Sequence, residues 1–340
     1  MSRRPVNARR AVALSLLAGV LALSGCGFSA VEAPWPEPVR QCLATDAGTC
    51  VRPKPNLMLV LDKSGSMSFA SDPTVAGCQG CATTACTASC PRTRMRDLRD
   101  AMSTFLTGAG ATVARMGLLP FPSDSTCGAA SISPFPGTGV ELSQSKDVAS
   151  QLAATAAEID HKIQTQLFPG GGTPTAETLH ALEGYAGLQD PNRQNFVLLL
   201  TDGAPDCNAA NDPNTCVCTS AGVSPCSSSG NNLCLDGDGL VSAAANLRAK
   251  GIRTIVVGFG AEAAAATGAA AGILDATALA GGAERRCPGG ADSECGRNPG
   301  SCDPVSGRCS VKYYRATDVD ELTAVLAQIA TCLGSDPAVR

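Results

Sequence analysis

Leu57-Met58-Leu59-Val60-Leu61-Asp62-Lys63-Ser64-Gly65-Ser66 changes character in one step: five apolar residues run without a break, then a carboxylate and two hydroxyls alternate at 62, 64 and 66. An apolar run this short, closed by turn-forming residues, suits a strand covered on both faces, because a strand with one wet face would alternate. Similar runs follow at residues 117–121, 196–200 and 252–259, the last rich in β-branched side chains. A weaker run at 311–315 reads as an outer strand.

Between the runs the period lengthens from 2 to 3.6 residues. Met95, Leu98, Met102, Phe105 and Leu106 share one helical face, as do Val148, Leu152, Ala156 and Ile159. A last helix places Val319, Leu322, Leu326, Ile329 and Leu333 together, with Thr317 as its N-cap. Such alternation predicts an α/β fold, a doubly wound, mainly parallel sheet with helices on both sides. The chain has 340 residues, 44% of them hydrophobic, enough for one large domain of this kind at residues 56–334.

The chemistry gathers where strands end. The 57–61 run opens into Asp62, Ser64 and Ser66, and the 196–200 run into Thr201-Asp202-Gly203, a second carboxylate at the end of a second buried strand. Between them lies Gly170-Gly171-Gly172-Thr173-Pro174-Thr175, whose glycines let the backbone come close to a ligand and whose Thr173 adds a hydroxyl. Asp62, Ser64, Ser66, Thr173 and Asp202 are all hard oxygen donors. A set with neither thiolate nor imidazole suits Mg²⁺, or alternatively Mn²⁺ or Ca²⁺. Two carboxylates no more than neutralise a divalent ion, which leaves it a Lewis acid for one further anionic ligand. In an open α/β sheet, ligands sit beyond the carboxyl ends of strands at the switch point, where two strand-end aspartates belong.

Asp62-x-Ser64-x-Ser66, then Thr173, then Asp202 resembles the metal-ion-dependent adhesion site of von Willebrand factor type A (VWA) domains, as in integrin I domains. All five positions are present in the family's order, and the resemblance covers roughly residues 55–334, with Cys-rich insertions as departures. It implies a Rossmann-like VWA fold with strand order 3-2-1-4-5-6, the Asp62 strand first and the Asp202 strand fourth. It further implies Mg²⁺ held directly or through water by the serines and aspartates. A protein partner would complete the shell with its own Glu or Asp. Binding of that kind, in adhesion or envelope assembly, is the function expected. A disulfide-stapled scaffold with an unused metal site, or less readily an enzyme subunit, is the alternative.

The N-terminus reads as an export signal, residues 1–25. Arg3, Arg4, Arg9 and Arg10 precede a mostly apolar run at 11–23, too short to span a bilayer but suited to a signal-peptide core. Leu23-Ser24-Gly25-Cys26 resembles the bacterial lipobox, which implies lipidation of Cys26 and a membrane anchor. Gly27, where an Asp favours inner-membrane retention, points by the same resemblance to the outer membrane. Residues 26–55, with Pro34, Pro36, Pro38, Pro53 and Pro55, read as an extended tether in which Cys42 and Cys50 close a small loop or pin it to the domain.

Eighteen cysteines agree with an oxidising compartment. They crowd into segments 68–93, 204–238 and 284–310, each read as a disulfide-stapled loop, with zinc at Cys78-x-x-Cys81 or Cys216-x-Cys218 as the lesser alternative. Without Cys26 the count is 17, and the isolated Cys127 and Cys332 are the candidates for an unpaired thiol.

Other features exclude more than they propose. Losing the four signal arginines leaves 22 basic against 30 acidic side chains, a balance of −8 that argues against nucleic acid. Aromatics are 4%, too few for a stacking surface. Asp236-Gly237-Asp238-Gly239 starts like a calcium loop but continues with Leu240 and reads as a turn before a helix. His161 and His180 join no nucleophile–base motif, so no intrinsic catalysis is expected.

Overall fold

The computed structural model describes residues 53–334 except 143–146, 220–221, 229–230, 261–267 and 297, with the backbone pairing of 43–44 and 50–51. The expected export signal, Cys26, Cys42, the side chain of Cys50 and most of the expected tether lie outside the described residues.

Five parallel strands form the central sheet: β1 (Asn56–Asp62), β2 (Arg115–Phe121), β3 (Asn195–Thr201), β4 (Ile252–Phe259) and the short β5 (Tyr314–Ala316). Their order is β5-β4-β3-β1-β2, so β1 lies between β2 and β3. Every residue of β1, β2 and β3 is buried, as their unbroken apolar runs require. The fold is thus of the doubly wound, mainly parallel class expected. The sixth strand of the 3-2-1-4-5-6 order is reduced to one antiparallel bridge, in which Leu118 and Val140 exchange both backbone hydrogen bonds at 2.8 and 2.9 Å. The Asp202 strand is consequently third of five rather than fourth of six. Proline and glycine crowd the segment around Val140, which leaves little chain to extend that pairing.

Alternation along β1 assigns the layers. Leu57, Leu59 and Leu61 pack with α1 (Arg94–Thr107), α2 (Ala149–Gln166) and α6 (Val319–Gly334). Met58 and Val60 pack with α3 (Thr175–Leu182), α4 (Gly237–Ala249) and α5 (Ala269–Gly281). One predicted helix face and one predicted cap need small corrections. Val148 lies outside α2 and is exposed, and Ile163 completes that face instead. The cap of α6 is Asp318 rather than Thr317: its carboxylate accepts from Glu321 N at 2.9 Å, while Glu321 reaches back to the N–H and hydroxyl of Thr317. Among the described residues, no helix is long and apolar enough to cross a membrane.

The insertions are stapled as expected, by Cys78–Cys90 and Cys81–Cys86, by Cys216–Cys234 and Cys218–Cys226, and by Cys287–Cys302 and Cys295–Cys309. Thiols in disulfides leave no zinc site at Cys78-x-x-Cys81 or Cys216-x-Cys218. Cys127 and Cys332 are not free either: Cys127 bonds Cys207 across 80 residues, and Cys332 is disulfide-bonded. The isolation of Cys127 in sequence reflects long-range pairing.

Candidate metal centre

The site forms where β1 and its neighbour β3 end. Backbone pairing places Leu61 opposite Leu200, so both strands deliver their next residues, Asp62 and the Thr201-Asp202 pair, to the same edge of the sheet. The 62–66 loop then turns tightly. Ser64 N donates to Asp62 Oδ1 at 2.7 Å, folding the carboxylate back over the loop that carries the serines. Ser64 Oγ and Ser66 Oγ lie 3.0 Å apart, and Ser66 Oγ donates to Asp202 Oδ1 at 2.8 Å. Three of the five predicted residues, Ser64, Ser66 and Asp202, therefore form one chain of oxygens, and the Ser64 N–H ties Asp62 to it. Asp62, Ser64 and Asp202 are buried, and Ser66 is half-buried and marks the side nearest solvent.

Thr173 enters by another route. Gly65 N donates to Gly171 O at 2.9 Å and Gly170 N to Lys63 O at 2.8 Å, which sews the glycine loop to the 62–66 loop. Thr173 N donates to Asp206 Oδ1 at 2.6 Å, while its carbonyl accepts from Thr175 N and Asp206 N. With its backbone groups so engaged, the hydroxyl is what Thr173 has to offer a ligand. Gly171 and Gly172 also answer a packing need. A Cβ on Gly172 would stand 2.3 Å from Cys207 Sγ, and one on Gly171, at φ +82°, 2.4 Å from Thr126 O. At these two positions the bare backbone makes room for the Cys127–Cys207 disulfide and its loop, while a Cβ on Gly170 would meet nothing within 4 Å. That disulfide joins the loops following β2 and β3, the two strands that flank β1.

Three participants escaped the sequence reading. Thr201 donates its hydroxyl to Asp62 Oδ2 at 2.6 Å. Asp206 holds the Thr173 loop. Arg94, the first residue of α1 and 1% exposed, donates through Nη1 to Asp202 Oδ2 at 2.8 Å. Its guanidinium lies 5.4 Å from the Phe69 ring centroid, and a Cβ on Gly260 would come within 2.9 Å of its Nε. One signal for Arg94 was available: a cation in the first turn of a helix opposes the helix dipole and calls for a nearby carboxylate. The Thr93 cap, whose hydroxyl accepts from Arg96 N, fixes where that turn begins.

Burial governs the electrostatics. It pushes the Asp62 carboxyl up to about 7, helped by the neighbouring Asp202 charge and opposed by hydrogen bonds from Thr201 and Ser64. Asp202 is raised by the same burial and held back by Arg94. Burial also lifts Asp206 to about 6.

The donor set fits a small divalent cation. Oxygens about 2.1 Å from Mg²⁺ at right angles lie about 3 Å apart, the spacing of the Ser64–Ser66 and Ser66–Asp202 pairs. Carboxylates whose proton affinity burial has raised are also groups that a cation would relieve. Ser64, Ser66, Asp62 and Asp202 are placed to hold it, with the Thr173 hydroxyl approaching on the stitched loop.

Fold and site together define a disulfide-rich, doubly wound α/β domain with a cluster of oxygen donors at its switch point. No family model matches the chain, and no curated protein does. Among solved structures it is similar to the pilus adhesin SpaC from Lactobacillus rhamnosus GG, 17% identical with a TM-score of 0.47, over 84% of this chain and 31% of that one. It is similar too to proximal thread matrix protein 1 of the mussel byssus, 13% identical with a TM-score of 0.41, over 83% and 49% of the two chains. One structure of that byssus protein has a zinc-occupied MIDAS motif. The third is BatB from Bacteroides thetaiotaomicron, 13% identical with a TM-score of 0.36, over 83% of this chain and all of that one. The chain thus spans less than a third of SpaC and about half of the byssus protein. These are distant likenesses of chain path.

Proposed function

We propose that the protein is a lipid-anchored VWA-type lipoprotein of the cell envelope, carried on the outer membrane through Cys26, that binds a protein partner through a divalent cation. Mg²⁺ is the ion the donor set favours, with Mn²⁺ and Ca²⁺ as competitors. The partner supplies an acidic side chain to the ion, and the role is binding, in adhesion or envelope assembly, without catalysis. The observation that carries this reading is the continuous chain from Ser64 Oγ through Ser66 Oγ to Asp202 Oδ1, closed against Asp62 by Ser64 N. Oxygen spacing of that kind suits an octahedral ion and serves no nucleophile. The mature balance of −8 adds to it, because an acidic surface needs a cation to attract an acidic partner.

The test is thermal melting of the oxidised chain in detergent, with EDTA or with Mg²⁺, Mn²⁺ or Ca²⁺, beside Asp62→Ala. An ion at about 100 times its dissociation constant stabilises the folded state by about 2.7 kcal/mol, a visible rise in melting temperature. A rise that disappears in Asp62→Ala supports the reading. No rise with any ion at millimolar concentration rejects it in favour of a structural scaffold, the alternative that the seven disulfides joining described cysteines favour.

A further inference from the structure

Among the described residues, Arg94 is the one full positive charge bonded to Asp62 or Asp202, and it comes from outside the five-residue motif. Its position is built. The side chain is buried, its guanidinium faces the Phe69 ring, and its stem fills space that a side chain at residue 260 would need. Gly260 sits at φ +85°, where a glycine is at ease and other residues are strained. Nη1 takes Asp202 Oδ2, while Asp202 Oδ1 remains on the hydroxyl chain facing Ser66. The arginine and the oxygen chain thus divide one carboxylate between them.

The charge count follows. Asp62 and Asp202 alone would carry −2 and would be neutralised by a divalent ion. Asp62, Asp202 and Arg94 together carry −1, so a bound divalent ion brings these groups to +1, in a buried setting where charges are poorly screened. We propose that Arg94 tunes the exchange between ion and partner: it weakens the hold on the cation and leaves a surplus positive charge that strengthens the hold on an anionic carboxylate. Arg94 is a positioning and charge-setting residue, with no contact to the partner required. The inference rests on the metal-bridge reading above and assigns the preference of that same site for a carboxylate over a neutral ligand.

The experiment titrates Mn²⁺ into the oxidised full chain at about pH 8 by calorimetry, for wild type, Arg94→Met and Arg94→Lys. Acetate is then titrated into each Mn²⁺-loaded protein, with acetamide as the neutral control. Losing a unit charge bonded to an ion ligand should shift affinities by roughly tenfold or more. Arg94→Met is expected to bind Mn²⁺ at least about tenfold more tightly and acetate correspondingly more weakly, with acetamide unchanged. Arg94→Lys, which keeps the charge on a shorter arm, should stay close to wild type in both. If both variants lose Mn²⁺ affinity together, Arg94 merely shapes the pocket and the inference is overturned. The same follows if Arg94→Met binds acetate as wild type does. A wild-type chain that binds no Mn²⁺ would instead overturn the metal-bridge reading itself, so the two failures are distinguishable. Should Arg94→Met unfold without ion, its melting in excess Mn²⁺ reports whether the ion restores it, and failure to do so counts against the inference.

Discussion

A methyl group at residue 172 has nowhere to go, since it would meet the Cys207 sulfur at 2.3 Å and Asp206 Oδ1 at 2.9 Å. Both belong to the support of Thr173: the carboxylate holds its N–H, and the disulfide backs its loop. Gly172→Ala is therefore expected to cost about 1–3 kcal/mol, as overpacking of a tight interior does. It should also weaken the ion-dependent rise in melting temperature, because the Thr173 loop must move. Denaturant unfolding with and without Mg²⁺ checks both, and an alanine variant with unchanged ion response would mean that Thr173 takes no part in holding the ion. At this scale the sequence was legible where chemistry breaks a pattern. Asp62, Ser64 and Ser66 stand out because they follow five apolar residues, and Asp202 because it ends another such run. Arg94, Thr201 and Asp206 did not stand out. Arg94 lies 108 residues from Asp202 and Thr201 139 from Asp62, separations that only the folded sheet closes.

Elements were legible to the extent that their environment imposes one period. Strands β1 to β4 are buried on both faces and declared themselves as continuous apolar runs, whereas β5, at the sheet edge, begins three residues later than the 311–315 run suggested. The antiparallel edge beside β2 gave no pattern because a single bridge has none to give. Thr317 looked like a cap since Thr often is one, but the competing Asp318 is one residue closer to Val319 and takes the Glu321 N–H. Disulfide partners were the least legible, because spacing within a segment says nothing about a bond to another. Cys127–Cys207 is the case with consequences, since it ties the loops after β2 and β3 on either side of β1. Closing a separation of that length removes about 4 kcal/mol of unfolded-state freedom in the chain-entropy account. Replacing both cysteines by serine should lower the melting temperature in EDTA and also shrink the ion-dependent rise. If the rise is unaltered while stability falls, the bond supports the fold alone and the glycine loop finds its position without it.

At the scale of the whole molecule, the proposed ion is expected to be coupled to pH. Burial raises the folded-state Asp62 carboxyl from 3.8 to about 7, and Asp202 moves in the same direction. A carboxyl whose folded value lies above its unfolded one binds its proton more tightly in the native state. Its contribution to stability is complete below about pH 4 and is lost as pH rises through about 7. In EDTA, these two groups therefore make the domain less stable at pH 8 than at pH 5, opposite to the trend of a carboxylate held ionised by a salt bridge. A divalent ion reverses that trend, because it takes the oxygens the proton occupied and must displace the proton to do so. Where one proton competes, apparent ion affinity falls about tenfold for each pH unit below 7, or about a hundredfold at pH 5. The rise in melting temperature at fixed Mn²⁺ should accordingly be small at pH 5, grow through pH 6 and 7, and level off near pH 8. Paired melts with EDTA and Mn²⁺ across that range measure it directly, and Asp62→Asn, which cannot ionise at that position, should flatten the pH dependence in EDTA. An ion-dependent rise of equal size at pH 5 and pH 8 would place the ion away from the buried aspartate pair. It would leave the chain of oxygens from Ser64 to Asp202 as a hydrogen-bonded seam between two strand ends.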